Sequence, residues 1–357
     1  MKILILGGTG AMGTPLVEIL ANRNNDVYVT TRRKREALNK NVNYIMGNAH
    51  ENDFINSTLR QKFDVVIDFM SYTTQEFEER MDLFLSSTNQ YIFFSSARVY
   101  ADNKGKLITE VSPRLLDAVN DSVYLQTDEY ALAKAREENL LQNSGKNNWT
   151  VIRPYITYND ERLQLGVLEK EMWLRRTLAG KSIVFCRDIA DKYTTLTYGY
   201  DVALRIADIA GKSSAMGEIF QITATQSVKW SDVLEIYLDV LTEKLNKRPD
   251  VYWVDSFLTF HKKCFNEYQI KYDRLFDRRF DNSKTENEVH IKNYISTSEG
   301  LKKCVKNFVE ENPKEFGTIN WRTEGAFDRL TGEKTKIRNI VGWKNKVKYI
   351  LYRYIVK

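Results

Sequence analysis

The chain has 357 residues, 43% hydrophobic and 28% charged, with a net charge of +6. That is apolar material for one large or about two ordinary domains, and the positive balance is too mild to call for a nucleic-acid partner, so none is expected. Three scattered cysteines (Cys186, Cys264, Cys304) and three distant histidines (His50, His261, His290) give no spacing for a disulfide framework, a metal site or a histidine-based triad.

No apolar run is long enough to span a bilayer, and the chain begins with strand-like residues rather than a basic leader. A reducing, cytoplasmic setting is the expectation.

Lys2–Leu6 is a short apolar run that predicts a strand. It ends in Gly7-Gly8-Thr9-Gly10-Ala11-Met12-Gly13, after which Pro15 to Leu20 has helical periodicity and a proline suited to a first turn. Glycines there permit a sharp turn, the approach of a pyrophosphate to backbone N–H groups at a helix N-terminus, and close helix–strand packing. Gly7, Thr9, Gly10, Ala11, Met12 and Gly13 are therefore expected to hold a dinucleotide.

The second strand, Val27 to Thr30, runs into Thr31-Arg32-Arg33-Lys34-Arg35. A chain that binds NAD usually carries a carboxylate here for the adenosine ribose. With none present, and with guanidinium groups able to grip a phosphate in two places, Thr31, Arg32 and Arg33 point to the 2′-phosphate of NADP, with NAD left open. A solvated basic turn is the plainer alternative.

Val42 to Met46 and Asp64 to Phe69 read as further strands separated by helices, which implies an α/β fold with a parallel, doubly wound sheet. Ligands of such sheets lie at the carboxyl ends of the strands, which places Asn48, Ala49, Phe69, Met70 and Ser71 near the cofactor. Gln75 to Ser86 reads as a helix with Phe77, Met81 and Leu85 on one side.

The next strand, Tyr91 to Phe94, leads into Ser95-Ser96-Ala97-Arg98-Val99-Tyr100, whose hydroxyls reach the same crevice. A helix predicted over 128–143 follows, carrying Tyr130 and Lys134 four residues apart on one face. The ammonium can lie on the phenol's side of that helix and favour its anion, the form that takes a proton near neutral pH.

These pieces, with Trp149-Thr150-Val151-Ile152-Arg153-Pro154 as the following strand, resemble the extended short-chain dehydrogenase/reductases that act on nucleotide sugars. The resemblance continues through Tyr200-Asp201-Val202-Ala203, 217–222 and Arg279-Phe280-Asp281-Asn282-Ser283-Lys284, over about residues 1–310. It implies a Rossmann-type domain at 1–160 with returns near 181–222, a smaller interleaved α+β substrate domain at 161–310, and a homodimer built through the Gln75 and Tyr130 helices.

It further implies that Tyr130 is the catalytic acid/base, that Lys134 tunes it and holds the nicotinamide ribose, and that Ser96 bonds the reacting sugar oxygen. Ser95 and Pro154 would lie beside the cofactor. The expected reaction is hydride transfer on a nucleotide-linked sugar, by an epimerase or a keto-reductase.

Ala97-Arg98 stands where the family's dehydratases place an Asp-Glu pair, which disfavours dehydration. The usual diphosphate-binding Asn and Arg look like Ile156 and Thr194, so Arg175, Arg176, Lys181, Arg187 and Lys192 are the substitutes to consider. Leu163 to Leu178 has Leu165, Leu168 and Met172 at helical spacing, with Trp173 as core. Ser182 to Phe185 reads as a strand, and Trp230 to Leu245 as an amphipathic helix.

The remaining 311–357 form a basic extension, in which Lys334 to Lys357 contains eight basic residues and no acidic one. Ile337, Val341, Val347, Ile350, Leu351 and Tyr354 recur there at helical spacing. Docking of that helix on the protein's own body or a dimer mate is the favoured reading, and an anionic membrane surface or acidic partner is the other. A non-catalytic member of the fold that senses NADP or binds RNA is the alternative to an enzyme.

Overall fold

The computed structural model describes residues 1–260, 265–289, 294–311 and 316–356. Cys264, His261 and His290 lie outside the described residues. Contacts divide the chain into two units, the first comprising 1–159, 195–227 and 279–297, the second 160–194, 228–278 and 298–357. The basic extension and residues 181–194 thus fall within the second unit.

The first unit is a seven-stranded parallel sheet: β1 (Lys2–Leu6), β2 (Asp26–Thr31), β3 (Val42–Met46), β4 (Phe63–Asp68), β5 (Thr88–Phe94), β6 (Trp149–Pro154) and β7 (Glu218–Ile222), ordered β7-β6-β5-β4-β1-β2-β3. Side chains alternate across each strand. Ile3 and Ile5 therefore meet Leu16 and Leu20 of α1 (Gly13–Asn22), together with Val202 and Ile206 of a later helix. Leu4 and Leu6 meet Ile55, Phe77, Phe84 and Leu141 on the other face. Those residues come from α2 (Asn52–Leu59), α3 (Thr74–Ser86) and α4 (Tyr130–Gln142).

A sheet covered on both sides can be apolar on both sides, which is why Val65-Val66-Ile67 and Tyr91 to Phe94 show no polar alternation. The helix starts are set locally. Thr73 and Glu76 form a reciprocal capping box at α3, and the Glu129 carboxylate accepts the Ala131 N–H at α4.

The last strand, β7, is an edge strand fixed by residues that arrive much later. The buried Asn282 side chain donates to the Thr223 and Ala224 carbonyls, and Lys284 pairs with Glu218 at 2.7 Å. The Asp281–Lys284 stretch thus belongs to the sheet unit.

The second unit departs from expectation at 163–178. Instead of one helix it has an antiparallel pair, Gln164–Leu165 with Leu168–Glu169, and then a short helix, α5 (Leu174–Leu178). Gly166 at φ +61° makes the turn, a conformation open to glycine and costly inside a helix. Trp173 is buried and stacked on Tyr237 at 4.3 Å, in the core as expected. The strand expected at 182–185 is Ile183–Cys186, parallel to Val251–Val254, and Trp230–Leu245 is a helix.

Candidate active site

At the carboxyl ends of β1, β2 and β4 a pocket of about 270 Å³ is lined by Gly7, Thr9, Thr31, Arg32, Asn48, Ala49, Phe69, Met70 and Ser71, with Thr30, Gly47 and His50. Nine expected cofactor residues therefore share one cavity. A larger depression of about 850 Å³ lies at the amino ends of the strands, beside Lys2, Phe63 and Thr88. That is the wrong edge of an open α/β sheet for its principal ligand.

The glycine turn has the build that a pyrophosphate needs. A Cβ on Gly13 would sit 2.6 Å from the Gly8 carbonyl carbon, so strand and helix approach there as only glycine allows. A Cβ on Gly10 would meet nothing within 4 Å, which leaves that stretch of backbone open to a ligand. Ala11 and Met12 are half-buried at the start of α1.

Beyond β2, the Thr31 hydroxyl donates to the Arg33 carbonyl and receives the Arg33 N–H, which sets the turn. Arg32 and Arg33 are exposed, and neither has an acidic partner among the described residues. This strand end therefore offers two exposed guanidinium groups to an anionic group.

Past β5, the Ser96 Oγ accepts the Arg98 N–H at 3.2 Å and so caps the turn that follows. Ser95 turns the other way and donates to Glu138 Oε1 at 2.5 Å. Glu138 is held in a fork by Arg153, at 2.8 and 2.6 Å, so the Ser95 hydroxyl serves a buried network that ties α4 to β6. Pro154 ends β6, half-buried.

Tyr130 is the first residue of α4 and is 38% exposed. The Arg98 guanidinium lies 5.3 Å from its ring centroid and donates to Glu129 Oε1 at 2.7 Å. Lys134, one turn on, is buried, with Nζ over the Phe93 ring and donating to Glu137 Oε2 at 2.9 Å. The lysine expected to serve the phenol thus gives its hydrogen bond to a carboxylate three residues further along.

Glu137 is fully enclosed, and its Oε1 has no hydrogen-bond partner among the described residues. Burial pushes its carboxyl up to about 7, against the pull of Lys134. Asp68, at the end of β4, accepts from the Met70 N–H at 2.9 Å and from the Tyr91 hydroxyl at 2.7 Å. Its carboxyl too is raised by burial, although those bonds and the charge of Lys134 oppose the shift.

Lys134 therefore sits with two carboxylates that burial makes reluctant to ionise. Sequence reasoning missed both, although the i, i+3 spacing of Lys134 and Glu137 was there to be seen.

Three of the residues considered for the diphosphate are already engaged by carboxylates. Arg176 is fully buried and pairs with Asp328 at 2.8 Å, Glu324 at 3.0 Å and Glu333 at 2.7 Å. Lys181 pairs with Glu324 and Asp328, and Arg175 with Glu324. Arg187 pairs loosely with Asp255 at 3.9 Å, and Thr194 is buried.

The glycine turn and the seven parallel strands, with the family match that follows, define a Rossmann-type protein of the extended short-chain dehydrogenase/reductase class. Residues 1–307 match the family model described as the RmlD substrate binding domain, and the chain belongs to that family.

The fold is shared with UDP-glucuronic acid 4-epimerase from Bacillus cereus, solved in complex with NAD: TM-score 0.65, 17% identity, 87% of this chain and 99% of that one. UDP-N-acetylglucosamine 4-epimerase from Methanobrevibacter ruminantium, in complex with UDP-N-acetylmuramic acid, gives TM-score 0.66, 17% identity, 87% and 98%.

Among curated proteins, the chain is 28% identical over 242 residues to the chloroplast stem-loop binding protein of 41 kDa b from Arabidopsis thaliana. That match takes in 64% of this chain and spans 60% of the relative's length.

Proposed function

We propose that the protein is an NADP-dependent enzyme that moves hydride on a nucleotide-linked sugar, as an epimerase or a keto-reductase. The observation that carries this reading is Tyr130: a partly exposed phenol at the first position of α4, next to the Arg98 guanidinium and one turn before a buried lysine.

A bound dinucleotide supplies the hydride acceptor and donor. Tyr130 Oη takes the proton of the sugar hydroxyl as the carbon gives up hydride, and returns it on reversal. The Ser96 hydroxyl orients the reacting oxygen. Lys134 would keep positive charge one helical turn from the phenol, and Arg32 with Arg33 would hold a 2′-phosphate. Directly after Ser96 the chain reads Ala97-Arg98 rather than an acidic pair, which disfavours water loss.

The test is a panel of UDP- and dTDP-sugars and their 4-keto forms, read by NADPH absorbance and product chromatography. Net loss of NADPH identifies a reductase, and a new sugar isomer without it an epimerase. Tyr130→Phe is expected to lower either turnover by about 100-fold or more. The stem-loop binding named for the 28% identical relative supports a second reading, in which the fold retains RNA without catalysis. That reading wins if Tyr130→Phe leaves every turnover unchanged while the purified chain retains a stem-loop RNA.

A further inference from the structure

The basic end of the chain carries two apolar faces, and the structure uses one of them. In the second unit α7 (Trp230–Leu245 being α6) spans Trp321–Thr331, and α8 spans Trp343–Ile350 and continues as a wider turn through Ile355. Tyr349 and Ile340 pack on Trp321, and Tyr352 packs on Ala326. The Tyr349 hydroxyl donates to the buried Asp328 at 2.8 Å, which fixes the rotation of α8 about its own axis.

Of the apolar stripe that the sequence offered for docking, Ile350 packs toward Trp321, while Ile337, Val341, Val347, Leu351 and Tyr354 are on the outside, where Trp343 and Ile355 join them. Trp343 is 71% exposed, Val347 44%, Leu351 37% and Ile355 64%. These positions are four residues apart and form one continuous ridge. Val341 and Tyr354 extend it, at 84% and 60%. Lys344 and Lys348 are exposed along the same helix, and Lys334, Lys336 and Arg338 are exposed just before it. No acidic residue occurs from Lys334 to the end of the chain.

We infer that this ridge is a docking surface for an anionic phospholipid membrane, on which α8 lies parallel to the plane. An exposed aliphatic and aromatic ridge, in a segment that carries exposed cations and no acidic residue, matches an interface whose interior is hydrocarbon and whose headgroups are negative. Trp343 and Tyr354 are the side chains that favour the headgroup boundary.

A second copy of the chain is a poorer occupant, because a two-fold contact would set this uncompensated basic patch against itself. Nucleic acid would use the lysines but has no need of Val347, Leu351 and Ile355. Among the described residues no helix is long and apolar enough to cross a membrane, so the mode inferred is adsorption.

The test uses the full chain and sedimentation with vesicles of phosphatidylcholine alone or mixed with phosphatidylglycerol at three to one. The chain is expected to sediment with the mixed vesicles only, and less so at high salt. Lys344→Glu with Lys348→Glu is expected to weaken binding by about tenfold or more. Trp343→Ser with Val347→Ser and Leu351→Ser is expected to abolish it. All five positions are exposed, so circular dichroism and melting of both variants should match the parent.

Equal sedimentation with both vesicles, or none, overturns the inference. So does binding that survives the serine variant, which would make the contact one of charge alone. Loss of a dimer in the serine variant, without vesicle binding, would assign the ridge to a second copy. Retention of a stem-loop RNA that tracks the glutamate but not the serine variant would assign it to nucleic acid.

Discussion

Two buried ionic clusters, one in each unit, solve the same problem in opposite ways. Around Arg176, three cations (Arg175, Arg176, Lys181) face three carboxylates (Glu324, Asp328, Glu333). Around Lys134, one cation faces two carboxylates, Glu137 and Asp68. Burial acts on both, but in the first cluster the charges of Arg176, Arg175 and Lys181 outweigh it and hold Glu324 down at about 2. In the second, burial wins and Glu137 rises to about 7.

A compensated cluster fixes shape, and an undercompensated one keeps a proton within reach of physiological pH. The first pins α7 against Arg176. The second begins one helical turn after the phenol proposed to do the chemistry.

Removing the cation should separate the two most sharply. Lys134→Met is expected to lower turnover by about 100- to 10,000-fold, while its melting temperature falls only modestly, because Glu137 can take up a proton. An unchanged kcat would break the contrast.

Arg176→Met takes from Glu324 and Asp328 the one cation buried as completely as they are, leaving Lys181 and Arg175 to face them, and should cost about 3–5 kcal/mol in urea unfolding. Turnover per folded molecule should be preserved.

The pH dependence has opposite signs. The depressed Glu324 contributes stability that is present above the ordinary glutamate range and lost as pH falls toward about 2. The raised Glu137 contributes stability that is present below that range and lost as pH rises through about 7. Each contribution is about 3 kcal/mol. Urea midpoints across pH should therefore show Glu324→Gln removing the acid-side slope. Glu137→Gln should remove the neutral-side slope, leaving that variant more stable than the parent at pH 8.

The smallest effect belongs to Ser95→Ala, which takes one donor from Glu138 but leaves the Arg153 fork intact. It should cost about 1 kcal/mol in the same unfolding assay, with turnover unchanged. A large loss of turnover would return Ser95 to the cofactor side.

What could be read from the chain alone was whatever is decided locally. The Lys2–Leu6 strand, the glycine turn and the start of α1 follow directly on one another, so one stretch of sequence carries the whole signal. Leu165, Leu168 and Met172 misled, because their spacing suits a helix while Gly166 at φ +61° turns the chain. Arg176 and Lys181 looked like phosphate ligands because their carboxylates lie 143 to 157 residues further on. The enclosure of Glu137 depends on packing of α4 against the sheet, which spacing reveals only as a pair of charges. At the tail, periodicity found Val347, Leu351 and Tyr354 of the ridge but counted Ile350 with them, having no way to say which face of α8 would be taken by Trp321.

The order in which the sheet is finished has a consequence during synthesis. β6 is made at 149–154, but its outer neighbour β7 is made at 218–222, and the asparagine that ties down the loop after β7 is residue 282. A growing chain therefore displays an apolar, open strand edge while much of the second unit is still being added. Chains halted before residue 282 should be the aggregation-prone ones, and chaperone occupancy should fall once that residue has cleared the ribosome.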